Sequence, residues 1–152
     1  MSYLPTFWRS ADGDILSEDK LISRFLVGEF TGRAIILEDY KNLGARLPFR
    51  YPALKVIQYD DWTTGVITTI RARNNGTSYL RELFRSYESI CLSDMDLLCG
   101  KDATTELLAH AILDSLLKTN IIILGDQLSL LTPYLLELLK GHSMRYSICH
   151  DA

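Results

Sequence analysis

The sequence contains no CxxC pair, and its three cysteines, Cys91, Cys99 and Cys149, are an odd number. This excludes a disulfide-stapled scaffold and fits reduced thiols in a cytoplasmic protein. No apolar run approaches the roughly 20 residues that a membrane-spanning helix needs, so no membrane partner is expected. The start, MSYLPTFWRSADGD, lacks a basic stretch followed by an apolar one, and no signal peptide is expected. Positive charge is also short: 16 basic against 19 acidic residues give a net charge of −3. That balance offers no general attraction to nucleic acid or anionic lipid. Neither GxGxxG nor GxxxxGK[ST] occurs, so the familiar glycine-rich phosphate loops are missing. The histidines show no Ser/His/Asp or Cys/His spacing and no ligand cluster. No metal, cofactor or catalytic set is therefore expected, and the balance leans away from an enzyme.

What is present describes an ordinary globular chain. Its 152 residues are 47% hydrophobic and 23% charged, enough to bury a core within a single domain over 1–152. Residues 1–14 read as an irregular arm pinned by Phe7 and Trp8. The organising stretch is Thr119 to Cys149. Ile121–Leu124 is an unbroken aliphatic run typical of a strand buried on both faces. Thr132 and Pro133 then suit a helix start, Gly141 a left-handed helix end, and Met144–Cys149 a second, parallel strand. Ser17, Glu18 and Asp19 mark the start of an earlier helix, followed by a strand at Arg33–Glu38. Ala53–Tyr59 and Val66–Arg73 read as two strands of an antiparallel hairpin with Trp62 near its tip. Helices are expected from Thr77 or Ser78 through Tyr87, and from an Asp102 cap through Leu117. The fold class is thus α+β (mixed α/β). A compact domain carries a hairpin in its N-terminal half, helices packed on the sheet and a C-terminal βαβ unit.

Two surfaces stand out. Asp60, Asp61 and Trp62, with Glu88, Asp94 and Asp96, form an acidic and aromatic set of the kind that meets a basic protein partner. This favours a non-catalytic binding protein, such as an inhibitor or toxin-neutralising immunity-type protein, with a homo-oligomer also open. The alternative is a phosphate- or nucleotide-binding enzyme domain built on the segment Arg71 to Arg85. There Arg71, Arg73 and Arg81 would surround a helix start at Gly76, Thr77 and Ser78, whose free N–H groups suit an anion.

Overall fold

The most apolar runs of the chain become the centre of one seven-stranded sheet. The computed structural model describes residues 6–38, 46–72 and 75–149. Its strands are β1 (Phe7–Ser10), β2 (Ile15–Ser17), β3 (Ala34–Glu38), β4 (Lys55–Ile57), β5 (Ser89–Leu92), β6 (Asn120–Gly125) and β7 (Ser143–Cys149). Their order across the sheet is β2-β1-β7-β3-β6-β5-β4. The five strands from β7 to β4 run parallel, and β1 and β2 close one edge as an antiparallel hairpin. β3 and β6 are central, with Ile35 beside Ile122 and Leu37 beside Leu124. All four are at most 5% exposed, because helices cover both faces of a parallel sheet.

The helices are α1 (Glu18–Leu26), α2 (Leu47–Arg50), α3 (Tyr59–Arg71), α4 (Gly76–Arg85), α5 (Asp102–Ser115), α6 (Leu128–Leu131) and α7 (Pro133–Leu138). A 3₁₀ turn, Met95–Leu98, follows β5. One core cluster joins α3, α4, α5 and α7 to one face of the sheet. The other joins Trp8, Leu21, Ile22 and Phe25 to the opposite face. Among the described residues, no helix is long and apolar enough to cross a membrane.

The mixed α/β class follows the sequence reading, but its hairpin lies elsewhere. Val66–Arg71 of the stretch expected as the second hairpin strand belongs to α3, Arg73 lies outside the described residues, and only Lys55–Ile57 of the first is extended. Tyr59, Trp62, Val66 and Ile70 recur at three- and four-residue steps, a helical period that outweighs the β-branched composition of VITTI. Asp60 and Asp61 fall in the first turn of α3, where the helix dipole favours acids. Within the stretch expected as an arm, β1 pairs with both β2 and β7. The expected C-terminal unit is present with parallel strands, and β3 lies between β6 and β7. Ser17 does cap α1, accepting from the Lys20 N–H at 3.3 Å.

α3 and α4 approach closely at one glycine. A Cβ added at Gly65 would overlap the phenol end of Tyr79, at its hydroxyl oxygen and Cζ. Elsewhere in a helix, Gly→Ala gains about 1 kcal/mol from propensity. Here the forced shift of an aromatic ring costs about 1–3 kcal/mol. Gly65→Ala is therefore expected to destabilise the protein by up to about 2 kcal/mol. In a Tyr79→Ala background the sign should reverse. Urea denaturation of the four-protein cycle checks this; stabilisation by Gly65→Ala with Tyr79 intact would refute the packing argument.

Candidate ligand groove between α3 and α5

One face of α3 is left partly uncovered by the core. Tyr59, Thr63, Val66, Ile67 and Ile70 share it, and the start of α5 supplies Ala103, Thr104 and Leu107 on the facing wall. Together with Lys101 they enclose a groove of about 300 Å³, the lower end of the size range for small-ligand sites. Ile67 and Ile70 are about half exposed, at 50% and 51%. They present apolar surface to solvent at the mouth.

Lys101 is the cation among the groove's lining residues, and it is exposed and rests against Tyr59. Its Nζ donates to the Tyr59 hydroxyl at 2.9 Å and lies 5.0 Å from the centroid of that ring. Tyr59 is held in turn by Trp62, edge to face at 5.3 Å and 80°. The arrangement pairs an aliphatic wall with an ammonium group. It can hold a planar or apolar moiety while Lys101 meets an anionic group.

The segment singled out as an anion site adjoins the groove. Arg71 follows Ile70 at the end of α3, and Gly76 packs against Val66, Ile70 and Leu107. The α4 N-terminus is already partly occupied, since the Asn75 Oδ1 accepts from the Thr77 N–H at 2.8 Å. Arg81 donates to the Ser78 hydroxyl at 3.3 Å and pairs with Asp114 at 3.5 Å. Arg73 lies outside the described residues. Of this segment, Arg71 ends α3 next to the lining residue Ile70, while Ser78 and Arg81 are engaged with each other.

The acidic and aromatic set is divided between the core and the surface. Trp62 is 0% exposed and sits in the core, because its place in the helical repeat points it at the sheet. Asp60 and Asp61 remain exposed on α3, and Glu88 is exposed before β5. Asp94 adopts φ +59 ahead of the 3₁₀ turn. Asp96 accepts hydrogen bonds from the N–H groups of Asp126 and Gln127.

Two further groups have defined chemistry. Burial pushes the Cys91 thiol far up, which makes it an inert core side chain rather than a nucleophile. Burial also pushes the Glu38 carboxyl up, but hydrogen bonds from Arg145 and Ser129 outweigh it and hold the group below its ordinary value. Among the described residues, no group of three or more His, Cys, Asp or Glu side chains is placed to hold a metal ion. Sequence reasoning missed Tyr59, Ile67, Lys101 and Thr104. Their only local signal was the pair of apolar residues at i and i+3 in a stretch taken for a strand.

No family model matches the chain, and no curated protein does. The fold does have solved counterparts. The structure described as "Replication initiator DnaA bound to AMPPCP and single-stranded DNA" superposes with a TM-score of 0.57 at 18% identity, covering 88% of this chain and 47% of that one. AMPPCP-bound DnaA from Aquifex aeolicus gives a TM-score of 0.52 at 15% identity, covering 88% and 48%. The chain thus spans about half the length of the DnaA structures it resembles. At these identities the likeness is one of fold. It overturns the reading as an inhibitor or immunity-type protein, since the matching fold is that of nucleotide-bound DnaA, and the proposed aromatic anchor is buried.

Proposed function

We propose that this chain is a nucleotide-binding domain whose α3–α5 groove takes one nucleotide unit, either free or within a single strand. The observation that carries the reading is the placement of Lys101. It stands, resting against Tyr59, above an apolar wall, in a fold like that of DnaA solved with AMPPCP and single-stranded DNA. A base would pack against Ile67 and Ile70, and a phosphate would meet Lys101. Arg71 ends the same helix, and a 13-residue helix separates its two ends by roughly 18 Å. A strand of several nucleotides could use both cations.

Charge sets the expected strength. Asp60, Asp61 and Asp102 are exposed near the groove, so weak binding, micromolar or looser, is expected. Phosphate contacts to a single strand release counterions, giving a salt slope of about −0.7 per contact. One or two contacts then imply a slope between roughly −0.7 and −1.4. The test is fluorescence anisotropy of a labelled single-stranded oligonucleotide, with AMPPCP as competitor. Lys101→Ala should weaken binding about 10- to 100-fold, because a charge-assisted hydrogen bond contributes about 1.5–3 kcal/mol. Displacement by AMPPCP alone would mark a mononucleotide site, and its failure to compete would mark a strand site. If neither probe binds at millimolar protein, the proposal is wrong.

A further inference from the structure

Three helices meet at Gly76, the first residue of α4. It is buried, and its backbone is not left-handed, so conformation does not call for glycine there. Space does. A Cβ at this position would lie 3.1 Å from Leu107 Cδ1, 3.2 Å from Val66 Cγ1 and 3.4 Å from Ile70 Cγ1. All three side chains line the α3–α5 groove, and the atoms that would be crowded are side-chain ends rather than backbone. Val66 belongs to the core cluster, and Leu107 packs against it. A packed interior yields little, whereas the groove beside these side chains is open. An added methyl group would therefore drive them toward the ligand space.

We propose that Gly76 sets the depth of the groove, and with it the size of the flat group that the groove accepts. Glycine admits a two-ring base, and a larger residue restricts the site to one ring. Gly65 provides the contrast. Its Cβ would meet Tyr79, which does not line the groove. That glycine governs how closely α3 and α4 pack, and not what the groove holds. The identity of the flat group as a base rests on the nucleotide reading of the groove; the control of depth does not.

The experiment is methyl NMR of the full chain, following the Ile67 and Ile70 methyl groups during titration with indole, which has two rings, and with phenol, which has one. Both probes are expected to move these resonances in the unmodified protein. Gly76→Ala should weaken indole binding about 10-fold, as a misfit of one carbon does in an apolar pocket, and phenol binding less than about 3-fold. Gly65→Ala should leave the indole-to-phenol ratio unchanged. Should Gly76→Ala not fold, the double variant Gly76→Ala, Leu107→Ala carries the test, because it removes the nearest contact. Its indole-to-phenol ratio should match that of Leu107→Ala, and a mismatch would count against the inference. An equal loss for both probes in Gly76→Ala would overturn it. So would a ratio altered as much by Gly65→Ala, or methyl groups indifferent to both probes. Filling by indole and phenol with the expected size dependence, in a protein that ignores the oligonucleotide and AMPPCP, would remove the nucleotide reading and leave the control of depth standing.

Discussion

Trp62→Ala is expected to cost about 3–5 kcal/mol of stability, the usual range for emptying a buried aromatic site. For a chain of this length that lowers Tm by roughly 10 °C or more. The side chain is 0% exposed and shares a core cluster with Tyr59, Val66, Leu80 and Phe84. Trp62→Phe should be much milder, about 1–2 kcal/mol. The indole Nε1–H meets no acceptor among the described residues, so phenylalanine also removes a buried donor left unpaired. The loss should reach the groove, since Tyr59 leans on the Trp62 ring and Lys101 on Tyr59. Trp62→Ala should therefore weaken oligonucleotide binding even where the protein remains folded at low temperature. Thermal and urea denaturation decide the first point. A variant with an unchanged midpoint would return Trp62 to the surface role its acidic neighbours suggest.

Trp62 also shows where a sequence stops being legible. The run Ile121–Leu124 could be read directly, because burial on both faces leaves an unbroken aliphatic signature. Ser17 and its following acids were equally plain, since capping is a local hydrogen bond. α3 was not plain: Val66, Ile67, Thr68, Thr69 and Ile70 have strand composition, and the helical period that overrides it emerges only over the longer span from Tyr59 to Ile70. β1 and β2 were illegible for a different reason. β1 is completed by β7, with Phe7 opposite Cys149, a pairing that no short window contains. The groove shares that limit, as it joins residues 59–70 to residues 101–107. Asp96 could be noticed as an acid. Its role appears only once β5 and β6 lie side by side and bring the turn at Asp126 within reach.

Glu18→Ala is the second substitution expected to have a large effect, at roughly 3 kcal/mol. The carboxylate is 1% exposed and accepts from Trp8 Nε1 at 3.3 Å, Arg46 at 2.9 Å and Arg50 at 3.1 Å. Removing one partner of a buried ion pair costs about 3–5 kcal/mol, mostly by stranding the opposite charge. The arginine side chains keep 37% and 27% of their exposure, so water can recover part of that cost, which argues for the lower end. Arg50 has a further partner in Asp19 at 2.7 Å; Arg46 Nε is buried without an acceptor among the described residues. Arg46 should therefore be the more sensitive of the two to the loss of Glu18. Replacing the charges together should behave differently: in Glu18→Leu, Arg46→Met the desolvation of both groups disappears along with their attraction. That double variant is expected to be more stable than Glu18→Ala by at least about 1 kcal/mol. Urea denaturation of the cycle measures the coupling. It should persist at 1 M salt, because a buried pair is poorly screened. A coupling near zero, or one abolished by salt, would mean that Glu18 acts as a surface acid. The tie between β1, the start of α1 and α2 would then have to rest on apolar packing of Trp8 and Leu47 alone.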